Sequence, residues 1–122
     1  MSENKEYFSR ADDLGNIHIS EEVLASIAAA AALEVEGVAG MAAHLAERLG
    51  KSLTRGVHVK IEETYVTVDV SILMAYGATI PEVAKAVQEN VKTAVESMTA
   101  LQVAAVNVNV AGVVFPPKTD KK

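Results

Sequence analysis

The sequence predicts an α/β fold, a two-layer sandwich in which helices cover one face of a small mixed sheet of three to four strands. Within residues 77–115, apolar residues recur first at helical spacing, over 83–98, and then at every second position, over 103–110. Upstream, two segments within 57–75 alternate between apolar and polar residues. A helix that leads directly into a strand, beside a predicted hairpin, indicates one compact α/β unit.

The first third of the chain predicts a tail, a short strand and a helix. Residues 1–13 are polar and lack periodicity, so they predict a flexible tail, and the folded domain is expected over 14–115. Residues 17–19 predict a brief strand. Ser20 is a good N-cap, and acidic residues follow it where the helix dipole favours them, so a helix is expected over 20–35.

The middle of the chain predicts a short helix and a hairpin. Met41, Leu45 and Leu49 follow one another at four-residue spacing, which favours a second helix. Residues 57–63 and 65–75 then alternate apolar with polar side chains around a tight turn. This pattern is typical of a hairpin with one buried face.

The last helix, expected over 80–98, is predicted to begin with the capping box T-I-P-E at Thr79. The hydroxyl and the carboxylate of such a box accept hydrogen bonds from free backbone N–H groups. Pro81 loses no helical hydrogen bond in the first turn. A strand is expected over 103–114, and residues 116–122 predict a basic C-terminal tail.

Composition limits the classes of function. The chain has 122 residues, of which 50% are hydrophobic, enough for one domain with a real core. It has no cysteine, which excludes disulfides, thiolate metal sites and cysteine nucleophiles. The net charge of −5 disfavours non-specific binding to nucleic acid or to an anionic membrane. No apolar run reaches the roughly 20 residues that span a bilayer, and the N-terminus is unlike a signal peptide, so a cytoplasmic location is expected.

Side chains that could support catalysis or bind metal are few. The three histidines, His18, His44 and His58, form no H-x-H or H-x-x-x-H pair, so we expect surface or structural roles and no metal or other cofactor. Asp69, on the predicted polar face of the sheet, is the only suggestive carboxylate, and it has no predictable partner for acid–base catalysis. The sequence therefore predicts no catalytic residue.

A G-x-x-G segment from Gly37 to Gly40 lies between two predicted helices, where KH domains clamp nucleotides. Its inner residues are Val and Ala, and two glutamates precede it, so phosphate would be repelled. We interpret Gly37 as the C′ residue that ends the first helix. KH-like RNA binding remains a weaker alternative, and no nucleic-acid partner is expected.

The sheet face away from the helices is predicted to be an interaction surface. It mixes aromatic and aliphatic side chains with hydrogen-bonding ones and carries little charge, a composition that suits an interface. The alternative is a solvated sheet face on a monomer. The predicted interaction residues are Tyr65, Leu73, Tyr76, Asn107 and Asn109 on the sheet, with Met41, Leu45 and Leu49 on the second helix.

Five segments together resemble the alkaline shock protein family, the envelope stress response proteins of Gram-positive bacteria. They are G-N-I-H-I-S-E-E-V, E-V-E-G-V-A-G-M, R-G-V-H-V-K-I, Y-G-A-T-I-P-E-V-A-K-A-V-Q-E-N-V-K and M-T-A-L-Q-V-A-A-V-N-V-N-V-A-G-V. They occur in family order and are distributed over residues 15–114. Each segment alone could be explained by the requirements of a helix or a strand, and it is the combination of segments that is specific to the family.

The resemblance implies a non-enzymatic cytoplasmic protein that self-associates and lies at the inner face of the cell membrane by binding a membrane-anchored protein, without inserting into the bilayer itself. The implied role is a scaffold or interaction protein in cell-envelope homeostasis. Some relatives are linked to fatty-acid synthesis, which leaves a regulatory partner of such an enzyme as the alternative. The family has no catalytic residues to assign to this chain.

Overall fold

The computed structural model describes residues 7–42 and 56–116. In chain order, the elements are β1 (Tyr7–Asp12), β2 (Gly15–Ser20), α1 (Glu21–Leu33), β3 (Val38–Met41), β4 (Val57–Ile61), β5 (Tyr65–Ala75), α2 (Ile80–Thr99) and β6 (Gln102–Val114). The predicted strand over 65–75 has these bounds in the structure. The last helix and the last strand each differ from prediction by one residue at one end.

Strand β5 is the centre of a four-stranded mixed sheet. On one edge, β6 runs parallel to β5 along its whole length, from the pair Tyr65–Gln102 to the pair Ala75–Val114. The antiparallel strands β4 and β3 pair with successive stretches of β5, around Val68 and Ile72 respectively. The parallel pair β5–β6 is connected by α2, as a strand–helix–strand unit requires. The predicted α/β class and the mixed sheet are confirmed.

The core lies between this sheet and the two helices. Because side chains alternate along a strand, every second residue of β5 points to the helices, and each of these is at most 1% exposed. On α2, the buried valines recur every four residues and form one stripe. The core side chains of these two elements are Val66, Val68, Val70, Ile72 and Met74 on β5 and Val83, Val87, Val91 and Val95 on α2.

Helix α1 packs against α2 through small side chains. Five alanines between positions 25 and 32 are buried, which lets the two backbones approach closely. Asn90 of α2 donates from its Nδ2 to the carbonyl oxygen of Ala31 at 2.7 Å. This carbonyl lies in the last turn of α1, where it also accepts from the N–H of Glu34 at 3.3 Å, so the Asn90 bond links the two helices at the end of α1.

The chain between α2 and β6 turns sharply. Ala100 takes the left-handed conformation with φ of 64°, and its N–H donates to the carbonyl of Glu96. The Glu96 carboxylate accepts from the N–H of Val103 at 3.0 Å, and the Thr99 hydroxyl accepts from the N–H of Leu101 at 3.1 Å. These side chains satisfy the turn's backbone donors and fix where β6 begins.

The structure differs from the sequence prediction in the first third of the chain. Tyr7–Asp12 were predicted within a flexible tail, but they form β1, which pairs antiparallel with β2. Met41 was predicted to begin a helix, but it ends strand β3 and pairs with Ile72 of β5. Leu45, Leu49 and the rest of that predicted helix lie outside the described residues.

The N-termini of α1 and α2 differ from each other in how they are capped. Ser20 caps α1 as predicted, because its hydroxyl accepts from the N–H of Val23 at 3.1 Å. Thr79 is the N-cap residue of α2, but its side chain makes no capping hydrogen bond. The predicted capping box is therefore wrong in its chemistry, although it marks the correct residue at which the helix begins.

Candidate functional site

The sheet face away from the helices is the candidate site, and we call it the open face. It consists of the outward-pointing residues of β4, β5 and β6 and the part of β3 beside them. The strand register arranges them in rows across the sheet. The rows are Lys60–Thr67–Ala105, His58–Asp69–Asn107, Ser71–Asn109 and Gly40–Leu73–Gly112.

The row through Asp69 is the most polar. Asp69 accepts a hydrogen bond from Nδ2 of Asn107 at 2.7 Å, which links β5 to β6 on the open face. His58 lies on the other side of Asp69, and its Nδ1 is buried without a hydrogen-bond partner among the described residues. The sequence predicted Asp69 and Asn107 on the same face but gave no partner for Asp69, because parallel pairing between distant strands sets that contact.

Leu73 lies between two glycines. A Cβ added to Gly112 would lie 3.3 Å from Cδ2 of Leu73, and one added to Gly40 would lie 3.9 Å from Cδ1. Because Gly40 and Gly112 have no side chains, Leu73 is the only residue of its row that projects a side chain from the open face. It is partly exposed. An aliphatic side chain flanked by bare backbone offers a partner both an apolar contact and a close approach.

The other predicted interaction residues lie in different places. Tyr65 and Asn109 lie on the open face, and each is exposed. Tyr76 was predicted on the same face, but it lies beyond the end of β5 and stacks on Phe115 with 4.8 Å between ring centroids. Ser71 is on the open face but only 7% exposed, so it offers a partner little surface.

The G-x-x-G segment does not form a loop between helices. Helix α1 ends at Leu33, and Gly37 lies in the turn that follows, with φ of 104°. The next residues are strand β3, paired with β5. The interpretation of Gly37 as the C′ residue of α1 is therefore wrong. The C-cap is Glu34, so the C′ position is the next residue, and Gly37 lies two residues beyond it. A segment held in a sheet lacks the loop with which KH domains clamp nucleotides.

Ionisable groups on the open face are sparse. The Lys60 ammonium lies 3.5 Å from the Glu62 carboxylate, and the lysine side chain is largely exposed, so this pair contributes little to stability. Within residues 7–42 and 56–116, no group of three His, Asp or Glu side chains is placed to hold a metal ion. His18 lies elsewhere, on β2, where its Nδ1 is 2.8 Å from the Ser9 hydroxyl. What the open face offers is hydrogen-bonding groups and an apolar contact, the means of recognition.

Fold and site together define a class: a small two-layer α/β domain whose mixed sheet, within residues 7–42 and 56–116, is covered by helices on one face. Solved structures of two variants of the MamM CTD share this fold. Each is 18% identical to this chain with a TM-score of 0.50, and the match covers 75% of this chain and 94% or 95% of the other. At that identity the likeness shows the fold alone.

Sequence relatives identify the family. YqhY of Bacillus subtilis is 37% identical over 113 residues, covering 88% of this chain and 84% of that protein. YloU of the same organism is 41% identical over 106 residues, covering 81% of this chain and 88% of that protein. Spy1535 of Streptococcus pyogenes serotype M6 is 38% identical over 114 residues, covering 89% and 88%. The model of the ASP23 family, described as having a cell envelope-related function, matches residues 9–115. The chain belongs to this family, the alkaline shock proteins that its sequence resembles.

Proposed function

We propose that this protein is a non-enzymatic interaction protein in cell-envelope stress homeostasis, held at the inner face of the cell membrane by a membrane-anchored protein. Membership of a family with a cell envelope-related function, over residues 9–115, is the observation that carries the proposal. The open face is its docking surface. Self-association of the chain is part of the proposed role.

The composition of the open face supports binding to a protein. Leu73 and Tyr65 supply apolar contact, while Thr67, Asn107 and Asn109 supply hydrogen-bonding groups around them. Its ionisable residues are few, so covering the face with a partner removes little charge from water. A surface of this kind is better suited to recognition than to chemistry, which needs several converging ionisable groups.

A protein anchor is favoured over direct insertion into the bilayer. Among the described residues, neither helix combines the length and the apolar character that crossing a membrane requires. The net charge of −5 opposes adhesion to the anionic inner leaflet. Envelope association then needs a partner that is itself in the membrane.

The proposal is tested by membrane fractionation of Leu73→Glu in Bacillus subtilis cells that express the tagged chain. Wild type is expected in the membrane pellet. Leu73→Glu is expected in the supernatant, because a carboxylate replaces the central apolar contact of the open face. Thr93→Glu is the matched control. It places the same charge on an exposed position of α2 and is expected to remain in the pellet.

Circular dichroism melts separate loss of binding from loss of fold, and all three proteins are expected to melt alike. An affinity pull-down after membrane solubilisation then names the partner. Wild type in the supernatant, or Leu73→Glu still in the pellet, would contradict the proposal. Recovery of a fatty-acid synthesis enzyme instead of a membrane protein would favour the regulatory alternative.

A further inference from the structure

Among the described residues, strand β6 pairs with a neighbouring strand along one edge only, while two α2 side chains bond single backbone groups of it: Glu96 accepts from the N–H of Val103 and Gln88 donates to the carbonyl of Val106, each at 3.0 Å. One edge of β6 pairs with β5, and no other strand of the described residues pairs with the opposite edge. Its 13 residues include no charged residue and no proline. On the far side of the sheet, by contrast, β4 carries Lys60 and β3 has only four residues. Exposed edges are normally short or carry charges, because a long uncharged edge pairs with other chains.

The sequence of this edge reads the same in both directions. From Ala105 to Ala111 it is A-V-N-V-N-V-A, with Val108 at the centre, and Val103 and Val113 extend the symmetry. Ala104 and Gly112, the one mismatch within this span, are both small. The regular pairing of β6 with β5 covers most of the palindrome, since the register shifts lie near its ends, between Val103 and Ala105 and between Val110 and Gly112.

We propose that β6 pairs antiparallel with β6 of a second copy, around a two-fold axis at Val108. This inference deepens the self-association in the proposed function and rests on it. An antiparallel pair centred on Val108 places Asn107 opposite Asn109 of the partner and Val106 opposite Val110 of the partner. A palindromic strand is complementary to itself, which is the requirement of a two-fold interface.

The proposed pairing gives favourable side-chain contacts on both faces of the joined sheet. On the open face, the two exposed asparagines meet amide to amide across the junction and can exchange hydrogen bonds. On the helix side, Val108 and Val110 are only partly buried in the single chain, so valine–valine pairs cover apolar surface that is otherwise wet. Strand β6 itself has no charged residue, and the charged side chains beside it, Glu89 and Lys92, belong to α2. The two open faces become one continuous surface.

Cysteine cross-linking tests the register directly, because the chain has no cysteine of its own. Directly opposite residues of an antiparallel pair have Cα atoms about 4.5–5.5 Å apart, within the range that a disulfide bridges. Co-expressed Asn107→Cys and Asn109→Cys chains, distinguished by a tag, are expected to form a disulfide-linked heterodimer under mild oxidation. Either variant alone places its cysteines two residues out of register, beyond about 7 Å, and is expected to cross-link at least about fivefold less.

Lys60→Cys, exposed on β4, is the control and is expected to stay monomeric on a non-reducing gel. Equal cross-linking of Asn107→Cys alone and of the mixture, or none in any sample, would overturn the register and with it the proposal. If cross-linking fails while wild type still enters the membrane pellet through the open face, the β6 pairing is wrong and the proposed function is not.

A charge exchange tests the same register by light scattering. Asn107→Lys with Asn109→Lys sets like charges opposite each other, and this variant is expected to be monomeric. Asn107→Lys with Asn109→Glu sets opposite charges across the junction and is expected to remain dimeric. Both variants share the lysine beside Asp69, so the comparison isolates position 109. A monomeric wild type, or the same mass for both variants, would contradict the pairing.

Discussion

The two faces of β5 belong to one strand and are under opposite physical demands. The face toward the helices is fully buried and uniformly apolar. The open face alternates with it residue by residue, and it carries an aromatic, a hydroxyl, a carboxylate and an aliphatic side chain. Packing restricts the first face to a few residue types, because a buried polar group without a partner costs several kcal/mol. The second face is free to be selected for recognition.

This division separates stability from binding. A fully buried valine contributes about 1.5–3 kcal/mol through the hydrophobic effect. An exposed ion pair such as Lys60–Glu62 contributes about 0–1 kcal/mol. Substitutions on the open face are therefore expected to cost the fold little, and the proposed test with Leu73→Glu depends on this difference.

The strongest test of the comparison is Val68→Asp against Thr67→Asp. Val68 is 0% exposed at the centre of the core, so a carboxylate there is buried without a partner, and we expect a loss of more than about 4 kcal/mol and an unfolded chain. Thr67 lies opposite Lys60 on the open face, and its substitution is expected to change stability by less than about 0.5 kcal/mol. Urea unfolding followed by circular dichroism measures both, and similar losses would refute the division of the faces.

Gly37→Ala tests how tightly the helix layer closes on the sheet. A Cβ at Gly37 would lie 2.6 Å from Cγ2 of Val83, and φ of 104° is strained for any side chain. Because overpacking and backbone strain add, we expect a loss of about 2–3 kcal/mol. Gly77→Ala is the control, since Gly77 also has positive φ, of 99°, but a Cβ there meets nothing within 4 Å. If both variants lose the same free energy of unfolding, backbone strain explains the whole loss and the contact with Val83 contributes nothing.

The parts of the fold that the sequence predicts well are those set by local periodicity. The valines of α2 repeat every four residues and those of β5 every two, and both elements were predicted within a residue. β3 was missed because four residues are too few to show a period, and Met41 fits a helical spacing equally well. β1 was missed because its pairing with β2 comes from tertiary contacts and not from its own composition.

The open face was predictable in part. Alternation alone places Thr67, Asp69 and Leu73 on one face of β5. It does not give the neighbours of these residues, since the parallel register with β6 contains two shifts. Those shifts determine that Asn107 meets Asp69 and that Gly112 lies beside Leu73. Tyr76 was misplaced because the strand ends at Ala75, one residue before it.

Ser20→Ala has an intermediate expected effect. The Ser20 hydroxyl satisfies the N–H of Val23, one of the donors that the first turn of α1 leaves free. Losing this N-cap is expected to lower the free energy of unfolding by about 1 kcal/mol. Ser20→Asp is the control, because its carboxylate can accept the same hydrogen bond and is favoured at a helix N-terminus, and it is expected to retain the stability.

Thr79→Ala is expected to have the smallest effect, although sequence patterns give Thr79 the same role as Ser20. Its hydroxyl makes no capping bond, while its backbone carbonyl accepts from the N–H of Val83 at 3.0 Å, a contact that alanine keeps. Pro81 also removes one of the N–H groups that a cap would satisfy. We therefore expect a loss of less than about 0.5 kcal/mol, well below that of Ser20→Ala in the same urea titration. A loss of about 1 kcal/mol would mean that the capping box forms in solution, so that both helices depend on their N-caps and the two helix starts are energetically alike.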